Sequence, residues 1–503
     1  MSADREMALS ELVADWCMSP RPGEVMVRGL TQDSRRAGPG MAFVALPGLH
    51  VHGVIHAADA VAKGACAIIA DAGARDREHL LSPLDVPICW IEGLGERLGA
   101  ITARFYGQPA RRMTVIGVTG TDGKSSVSHF LAQALDQERA RAGIIGTLGN
   151  GLVGALEPSG YTTPDAIGLQ AALAELADAG ARWVVMEASS HGLAQGRLNA
   201  VDFNQAILTQ LTRDHLDYHG SIEAYAAAKR RLFEVPGLEY AILNLDDAFG
   251  RDLAARGTAA RACLGYSLAT RPPAGTDAIW ASGLRLQDHG FAMRVETPWG
   301  KSEIESPLLG RFNAANLLAV LTSLLALGVP LADAVDRLRA VRPVPGRMER
   351  FDRPGAPVAV VDYAHTPAAL EAVLTSLRQH GAQRLCCVFG AGGDRDRGKR
   401  PLMGAMAAQL ADRIVVTDDN PRSEDPDAIV EDILAGLAQR EGVEVIHDRA
   451  AAVRHALDTA QPGETVLIAG KGHEAVQITA RGTQPYSDRE TVAAWFAAWE
   501  AAS

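Results

Sequence analysis

The sequence predicts an α/β fold in three domains, which we place at residues 1–108, 109–341 and 342–503. The first observation is the length of 503 residues, since a domain holds roughly 150 residues. The second is composition: 47% of the residues are hydrophobic and only 5% aromatic, which is typical of helix-covered parallel sheets. The third is an alternation of short apolar runs with alanine-rich stretches, which predicts βαβ units.

Charge and hydropathy narrow the class of function. The formal net charge is −11, and the chain has no basic tail or long Lys/Arg block. We therefore expect no nucleic-acid partner, because binding to a phosphate backbone needs concentrated positive charge. No apolar run reaches the ~20 residues that cross a bilayer, and the first ten residues do not resemble a signal peptide. A cytoplasmic protein without membrane insertion is expected.

The cysteines indicate a reducing compartment. None of the six has CxxC spacing, and most lie in apolar surroundings. This pattern predicts reduced thiols and no zinc site. The residues concerned are Cys17, Cys66, Cys89, Cys263, Cys386 and Cys387.

Short apolar runs mark the strands of the first two domains. Those predicted in the first domain are MAFVALPG (41–48), CAIIA (66–70) and PICWIE (87–92). The segment YGQPARR (106–112) combines turn formers with two charges and predicts a linker. Buried parallel strands are predicted next at MTVIGVTG (113–120), RWVVMEAS (182–189), QAILTQL (205–211) and YAILNLD (240–246).

A second linker separates the third domain. RPVPGRMERF (342–351) carries two prolines and a glycine, and we interpret it as a boundary, with the candidate hinge near 340–347. Open parallel sheets bind ligands outside the carboxyl ends of their strands. The strands predicted beyond the boundary all end in polar or Gly-rich residues: VAVVDYAH (358–365), RLCCVFGAGG (384–393), RIVVTDDN (413–420) and ETVLIAGKG (464–472).

The clearest functional pattern is GVTGTDGKSS at 117–126, where a strand runs into a glycine-rich turn and a helix. Its glycines let backbone N–H groups close around phosphate, and the helix N-terminus favours the anion. Lys124 would reach the terminal phosphates and the Ser125 hydroxyl would bind magnesium. Val118 stands where the strict Walker pattern has glycine, so the alternative is a turn with an incidental GKS.

The GTxGK[ST] form of this loop resembles that of the Mur ligase and folylpolyglutamate synthetase superfamily, whose members use ATP to make amide bonds. Asp122 stands where that family often has Asn. The resemblance implies a small UDP-binding α/β domain, a central P-loop ATPase-like parallel sheet and a C-terminal Rossmann-like domain that binds an amino acid. It also implies that ATP is bound by Gly120, Thr121, Asp122, Gly123, Lys124, Ser125 and Ser126.

Two polar segments of the central domain carry candidate magnesium ligands. In MEASSHGLAQGR (186–197), Glu187 ends a buried strand, where a carboxylate beside a P-loop would hold Mg²⁺ directly or through water. The alternative is a helix cap. In TRDHLDYHG (212–220), the resemblance implies that His215 binds a second Mg²⁺, the alternative being a polar loop.

Lys229 in YAAAKRRLF (225–233) has by itself the features of an ordinary solvated helical lysine. In Mur ligases the matching lysine is carbamylated by CO₂, and the resemblance implies N6-carboxylysine here, serving the second magnesium. The expected catalytic residues are Lys124, Glu187, His215 and Lys229. The expected metal ligands are Ser125, Glu187, His215 and carbamylated Lys229.

Further matches concern the nucleotide and the UDP substrate. The resemblance implies ATP contacts by Asn313 in GRFNAANLLA (310–319) with the base, by Arg347 with the phosphates, by Asp362 with the ribose and by His365 near the base. It implies UDP-muramoyl-dipeptide contacts by Ser34, Thr162, Thr163, Ser189, Gln195 and Arg197. Tyr161 stands where relatives often have Asn and is given no role. The alternatives are a capped amphipathic helix for Asn313, a turn for His365 and a plain turn for the segment that holds Thr162 and Thr163.

The stretch DDNPRSEDP (418–426) distinguishes between members, because it matches the DNPR pattern of those that add meso-diaminopimelate. Diaminopimelate differs from lysine by one carboxylate, and arginine binds carboxylates as a planar bidentate fork. The alternative is a turn with a solvated arginine. The implied diaminopimelate residues are Arg395, Asp419, Asn420, Pro421, Arg422, Gly470 and Glu474, with Glu474 pairing with the substrate's ammonium.

The resemblance implies a ligase of peptidoglycan precursor synthesis that uses ATP and two Mg²⁺, and we expect a monomer. It would join meso-diaminopimelate to UDP-N-acetylmuramoyl-L-alanyl-D-glutamate through an acyl phosphate. Within the ligases the alternatives are a lysine-adding member, disfavoured by Arg422, and folylpolyglutamate synthetase, disfavoured by the UDP-like domain. Outside them, the alternative is a P-loop switch protein that hydrolyses ATP to change partners.

Overall fold

The computed structural model describes residues 5–18, 24–48, 51–273, 275–438 and 442–502. The chain divides into two compact units. The first comprises Met1–Tyr266, Pro272–Ala278 and Thr322–Gly328. The second comprises Ser267–Arg271, Ile279–Leu321 and Val329–Ser503.

The first unit begins with a small parallel sheet in the order β3-β4-β5-β6, and a separate antiparallel pair, β1 and β2. The three strands predicted in this domain are β4, β5 and β6. The strands are β1 (Met7–Ala8), β2 (Met26–Val27), β3 (Gly29–Thr31), β4 (Met41–Ala45), β5 (Ala67–Asp71) and β6 (Ile88–Ile91). The helices are α1 (Leu9–Leu12), α2 (Ala57–Ala62) and α3 (Leu94–Phe105), with short 3-10 helices at Ser34–Arg36, Gly53–His56, Ala72–Leu80 and Pro109–Arg112.

Both faces of this small sheet are buried. Val44 and Ile69 pack on one side with α1 and α3, whereas their neighbours Phe43 and Ile68 pack on the other side with α2. This division follows from the strand geometry, because successive side chains point to opposite faces. The apolar runs of these strands are therefore continuous rather than alternating.

The structure joins Cys17 and Cys89 in a disulfide, with their Cα atoms 5.6 Å apart. An antiparallel bridge between Cys17 and Ile91 lays the N-terminal segment along β6 and brings the two cysteines together. The prediction of reduced cysteines is therefore wrong for this pair, which is 72 residues apart in sequence. The other four, Cys66, Cys263, Cys386 and Cys387, are free thiols.

The larger sheet of the first unit has the order β10-β9-β8-β11-β7-β12-β13-β14. Its strands from β8 to β14 in that order run parallel, and β9 and β10 are antiparallel to their neighbours. The strands are β7 (Thr114–Thr119), β8 (Ala142–Gly146), β9 (Gly149–Leu152), β10 (Ala155–Glu157), β11 (Trp183–Glu187), β12 (Gln205–Leu208), β13 (Tyr240–Asn244) and β14 (Ala262–Ser267). The helices are α4 (Lys124–Leu135), α5 (Ala166–Asp178), α6 (Ser190–Ala194), α7 (Leu216–His219), α8 (Ile222–Arg230) and α9 (Ala248–Arg256), and a 3-10 helix spans Arg231–Glu234.

The four strands predicted in this region are β7, β11, β12 and β13. Because β7 lies between β11 and β12, its carboxyl end is flanked by the ends of both neighbours. The glycine-rich turn after β7 is thus adjacent to Glu187 at the end of β11 and to Thr209 just after β12. This is the strand-end position at which open parallel sheets bind ligands.

The second unit contains an antiparallel meander, β15-β16-β17, and a sheet in the order β18-β19-β23-β20-β21-β22, which is parallel except for the edge strand β18. The four strands predicted in its domain are β19, β20, β21 and β23, whereas the meander had not been predicted. The strands are β15 (Ala278–Gln287), β16 (Gly290–Thr297), β17 (Gly300–Ser306), β18 (Glu349–Phe351), β19 (Val358–Asp362), β20 (Leu385–Phe389), β21 (Arg413–Val416), β22 (Val443–Val445), β23 (Thr465–Ala469), β24 (Val476–Thr479) and β25 (Gly482–Pro485). The helices are α10 (Arg311–Ala326), α11 (Leu331–Arg339), α12 (Pro367–Gln379), α13 (Lys399–Leu410), α14 (Pro426–Leu434), α15 (Arg449–Asp458) and α16 (Asp488–Ala502).

Helices cover both faces of the second unit's parallel sheet. Leu467 and Val416 face a core that includes α12 and α13, while Ile468 and Val415 face α15 and α16. Among the described residues, no helix is long and apolar enough to cross a membrane.

Candidate active site

The turn between β7 and α4 depends on glycine. Gly120 has a φ of +152°, and a Cβ added there would lie 1.8 Å from Thr209 Oγ1. The Thr209 hydroxyl donates to the carbonyl of Asp122 at 2.6 Å and so holds the turn against the extension of β12. Gly123, with a φ of +82°, then leads into Lys124 as the first residue of the helix. The loop therefore has the backbone form that lets N–H groups face a phosphate.

Two lysines approach the same carbonyl of this loop. Lys124 Nζ donates to Gly120 O at 3.0 Å and to Thr121 O at 2.8 Å, and Lys229 Nζ donates to Gly120 O at 2.7 Å. Lys229 is only 1% exposed, and its Nζ lies 4.6 Å from the centroid of the Tyr225 ring. Burial, and then the charge of Lys124, lower the pKa of Lys229 well below its ordinary value. Lys229 is therefore not the solvated lysine that its local sequence indicates.

The carboxylate of Glu187 is 1% exposed and is surrounded by donors. Its Oε2 accepts from Ser125 Oγ at 3.0 Å and from Thr147 Oγ1 at 3.2 Å, and its Oε1 accepts from the backbone N–H of Thr147 at 2.9 Å. A Cβ added at Gly146 would lie 2.4 Å from Oε1, so a larger residue there would displace the carboxylate. The structure thus places Glu187 directly beside the start of the P-loop helix.

His215 lies in a cluster of aromatic side chains near the P-loop. Its ring centroid is 4.9 Å from that of His191 and 6.1 Å from that of Tyr225, and its Nε2 is 3.3 Å from Asp214 Oδ2. Burial lowers the pKa of His215, Lys124 and Lys229 lower it further, and Asp214 opposes them. The neutral imidazole that results is the form that binds metals.

These side chains fit magnesium held jointly with a nucleotide. Across the described ranges, no group of three or more His, Cys, Asp or Glu side chains forms a metal site from the protein alone. Mg²⁺ is usually bound by one or two carboxylates together with substrate phosphates and water. A carboxylate and a hydroxyl at the start of the P-loop helix, Glu187 and Ser125, are that kind of donor set.

Five of the residues predicted to hold the UDP-muramoyl-dipeptide lie together around the end of β11. Thr163 Oγ1 donates to the carbonyl of Glu187 at 2.8 Å, and Arg197 Nη1 donates to the carbonyl of Thr163 at 2.7 Å. Arg197 also donates from Nε to Gln195 Oε1 at 2.9 Å. Ser189 Oγ caps α6 by accepting from Gly192, and the Thr162 and Thr147 hydroxyls hydrogen-bond to each other at 3.0 Å.

Ser34 belongs to the small N-terminal sheet rather than to that group. It begins the 3-10 helix that follows β3, and its carbonyl accepts from Lys63 Nζ at 3.2 Å. The preceding Asp33 caps this helix and pairs with Arg35 through both carboxylate oxygens at 2.9 Å. Ser34 is therefore on a rigid turn at the carboxyl end of a strand.

In the second unit, three predicted nucleotide residues surround Tyr363, and a fourth lies elsewhere. The guanidinium of Arg347 stacks 4.3 Å from the Tyr363 ring centroid, and His365 Nδ1 is 2.8 Å from the Tyr363 carbonyl. Asp362 accepts from the backbone N–H groups of Met348 and Ala364, both at 2.8 Å. Asn313 is buried at the start of α10, where its Nδ2 donates to the Leu309 carbonyl at 2.7 Å.

Several of the residues predicted to bind the amino acid lie where the loop after β20 meets the loop after β21. Arg422 Nη1 donates to the Gly393 carbonyl at 2.8 Å, and Arg395 Nη1 donates to the Asp394 carbonyl at 3.1 Å. A Cβ added at Gly392 would lie 2.9 Å from Arg422 Nη1 and 3.7 Å from Arg395 Cγ. The two arginine side chains therefore approach the same point of the backbone.

A fully buried lysine lies behind Glu474. Lys471 Nζ donates to Glu474 Oε2 and to Asn420 Oδ1, both at 2.9 Å, and Asn420 Nδ2 also donates to Glu474 Oε2 at 2.9 Å. A substrate ammonium at Glu474 would thus share the carboxylate with Lys471. Asp419 approaches Gly470, since a Cβ added at Gly470 would lie 2.5 Å from Asp419 Oδ2. Pro421 is the last of the predicted pocket residues, and its carbonyl faces Gly393.

Sequence reasoning missed several side chains that complete these arrangements. Thr147 follows β8 and Lys471 follows β23, so the rule that polar residues at strand ends form sites could have found both. Thr209 follows β12 and was open to the same reasoning. Tyr225 is mid-helix and had no comparable signal, because its role depends on which face α8 buries.

Comparisons with known proteins identify the family. Residues 26–106 match the Mur ligase family catalytic domain, residues 118–324 match the Mur ligase middle domain, and residues 346–472 match the Mur ligase glutamate ligase domain. The UDP-N-acetylmuramoyl-L-alanyl-D-glutamate–2,6-diaminopimelate ligase of Alkalilimnicola ehrlichii is 51% identical over 97% of this chain and 98% of its own length. This chain belongs to the Mur ligase family.

Other Mur ligases agree with this placement. The enzyme of the same name from Ectopseudomonas mendocina is 50% identical over 95% of this chain and 96% of its own length. A solved structure of a UDP-N-acetylmuramoyl-L-alanyl-D-glutamate–2,6-diaminopimelate ligase superposes with a TM-score of 0.70 at 36% identity, covering 98% of this chain and 99% of that one. The predictions of a three-domain α/β fold and of a ligase are confirmed. The domain bounds and the roles of individual site residues stay predictions.

Proposed function

We propose that this chain is the ATP-dependent ligase that joins meso-2,6-diaminopimelate to UDP-N-acetylmuramoyl-L-alanyl-D-glutamate, a step of peptidoglycan precursor synthesis. The observation that carries the proposal is the identity of about half the residues, over nearly the whole length, with relatives that bear this name. Arg422 and Arg395 on adjoining loops give the chain the charges to recognise diaminopimelate.

The reaction has two chemical steps. An oxygen of the D-glutamate γ-carboxylate attacks the γ-phosphorus of ATP, ADP leaves, and an acyl phosphate forms. The amine of diaminopimelate then attacks the acyl carbon, phosphate leaves, and the amine loses a proton as the amide forms. Lys124 at the P-loop supports the first step, because it places a positive charge where two anions must approach each other.

Ser125 and Glu187 would hold one magnesium ion, and His215 and carbamylated Lys229 would serve a second. When bound, these ions would supply positive charge that offsets the negative charge of the phosphates. The ordering of Glu187 by Thr147 keeps its carboxylate aimed at the helix start. Carboxylate oxygens of this kind are the hard ligands that suit magnesium.

The surroundings of Lys229 support its carbamylation. Only the neutral amine adds CO₂, releasing a proton as the carbamate forms, and the pKa of Lys229 is lowered by burial and by Lys124. As an ammonium it would lie beside a second cation at the Gly120 carbonyl. As a carbamate it would carry a negative charge there, which removes the repulsion and provides oxygen ligands.

Phosphate release with each amino acid in turn tests the proposal. With ATP, Mg²⁺ and the UDP-muramoyl-dipeptide, diaminopimelate should drive sustained release, and lysine should drive little. Equal use of lysine would assign the chain to the lysine-adding ligases instead. Steady ATP hydrolysis without the UDP substrate would point to a P-loop switch protein. Size-exclusion chromatography at the assay concentration tests the monomer that we also propose.

A further inference from the structure

We propose that a clasp of four side chains, Asp394, Arg400, Ser423 and Glu424, fixes the two loops that carry Arg395 and Arg422 and thereby sets the selectivity for a dicarboxylic amino acid. The two loops are residues 392–398, after β20, and residues 419–425, after β21. The inference rests on the proposed function, because the selectivity concerns the amino-acid substrate.

The loops meet first through their backbones. The N–H of Gly393 donates to the Asn420 carbonyl at 2.9 Å. A Cβ added at Gly393 would lie 1.9 Å from the Pro421 carbonyl oxygen, so no other residue fits without moving one of the loops. This close approach determines where the side chains of the clasp can meet.

Asp394 and Ser423 form the solvent-facing half of the clasp. The Ser423 hydroxyl donates to Asp394 Oδ1 at 2.7 Å, and the Ser423 N–H donates to Oδ2 at 3.2 Å. Both of these hydrogen bonds lower the pKa of Asp394, so the carboxylate stays ionised. Both residues are exposed, so core packing does not explain why they are paired.

Glu424 and Arg400 form the inner half. Glu424 Oε1 accepts from the N–H of Asp394 at 2.5 Å and from Arg400 Nη2 at 2.9 Å. Arg400 is fully buried and also donates to Asp432 Oδ2 at 2.8 Å and to the Gly392 carbonyl at 3.2 Å. The guanidinium thus ties the start of α13 to both loops and to α14.

The backbone is strained next to each functional arginine. Asp394, which precedes Arg395, and Arg422 itself both have a φ of +54°. Residues other than glycine persist in this left-handed region only where the surrounding structure holds them. The clasp supplies that restraint. Glu424 accepts from the N–H of Asp394, and the carboxylate of Asp394 accepts from the N–H of Ser423, the residue that follows Arg422.

The clasp also restrains the two arginine side chains that would bind substrate. Arg422 and Arg395 both donate to carbonyls of the clasped loop, those of Gly393 and Asp394. Within the described ranges, the side-chain hydrogen bonds of Arg422 all leave from Nη1, so Nε and Nη2 remain for a ligand carboxylate. A bidentate contact is made by the fork of one guanidinium and needs that arginine in a fixed place, and the clasp residues are positioning residues that touch no substrate.

The test compares Ser423→Ala and Asp394→Asn with the wild type in the complete enzyme. Each variant should raise the KM for diaminopimelate roughly tenfold, the loss expected for one charge-assisted hydrogen bond. The preference for diaminopimelate over lysine should fall by a similar factor, while the KM values for ATP and the UDP substrate stay within twofold. Ser423→Thr keeps the hydroxyl and should restore the wild-type KM.

Matched controls and thermal melting separate positioning from general damage. Ser82→Ala removes an exposed hydroxyl that donates to the Glu78 carbonyl, and Asp336→Asn removes an exposed carboxylate paired with Arg339. Neither should change any KM, and no variant should shift Tm by more than a degree or two. Equal losses for all three substrates, or an unchanged KM for diaminopimelate, would overturn the clasp. Failure of the wild type to use diaminopimelate would instead remove the proposed function, and the clasp with it.

Discussion

The P-loop region and the predicted amino-acid site are built on the same kind of strand ends, but central side chains of the first are buried, whereas several of the second are exposed. Lys229 and Glu187 are each 1% exposed and bond to the P-loop or to its helix. Arg395, Asp394 and Ser423 are largely open to solvent and are held by contacts between two loops. Burial therefore shifts the pKa of Lys229 in the first region, whereas contacts between loops hold charged side chains in position in the second.

This difference matches the two tasks. For the proposed phosphoryl transfer, burial lowers the pKa of Lys229 and so favours the neutral amine that a carbamate requires. Recognition of a carboxylate needs arginines that are always charged, so solvent costs them little as long as their positions are fixed. The following variants test the contrast, from the largest expected effect to the smallest.

Lys124→Ala should have the largest effect. We expect acyl-phosphate formation to fall at least about a thousandfold, the order found when a charge that stabilises phosphoryl transfer is removed. Without ATP, Tm should change little, because the hydrogen bonds of Lys124 Nζ within the described residues go to two carbonyls of its own loop. A large fall in Tm with ATP affinity retained would show that the lysine is structural.

Lys229→Ala should lower turnover by about a hundredfold or more, the order seen when a metal-site partner is lost. Bicarbonate or a short carboxylate such as acetate should restore part of the activity by supplying the missing anion. Lys301→Ala, which removes an exposed lysine paired with Glu296, is the control and should leave turnover unchanged. Near-normal turnover of Lys229→Ala would remove the carbamate from the mechanism.

Arg422→Ala should lower the preference for diaminopimelate over lysine by roughly tenfold to several hundredfold, the value of one or two charge-assisted hydrogen bonds. The KM values for ATP and the UDP substrate should stay nearly constant, since Arg422 lies in the loop after β21 and not in the P-loop after β7. Measuring kcat/KM for both amino acids in both proteins gives the result. If the ratio does not move, the DNPR stretch is only a turn.

Glu424→Gln should have the smallest effect, visible in the pH dependence of unfolding. Hydrogen bonds from Arg400 and Arg397 lower the pKa of Glu424 from 4.5 to about 2. Above about pH 4.5 both states are ionised and the stabilisation is complete; it declines below that pH and is lost as pH falls through about 2. Urea midpoints of wild type and variant should therefore differ most near pH 6 and converge only as the pH approaches about 2. A constant difference would contradict the ion pair.

Local patterns predicted most of the parallel sheets. The strands β7, β11, β19 and β23 were found because fully buried strands are continuous apolar runs that end in polar residues. The meander β15-β16-β17 escaped prediction, since its strands mix exposed and buried residues and lack such runs. The reduced state predicted for Cys17 and Cys89 was wrong, because the bridge to β6 is a long-range contact.

The sequence by itself determined the P-loop, the order of the strand-end segments and the family, since each depends on residues that are neighbours along the chain. Only the tertiary structure decided that the pKa of Lys229 is lowered, because its burial against Tyr225 and the Gly120 carbonyl comes from how α8 packs. Only the tertiary structure showed that Lys471 donates to Glu474 and that the Ser423 hydroxyl donates to Asp394. Environments and couplings of this kind arise between distant segments, and local patterns carry no information about them.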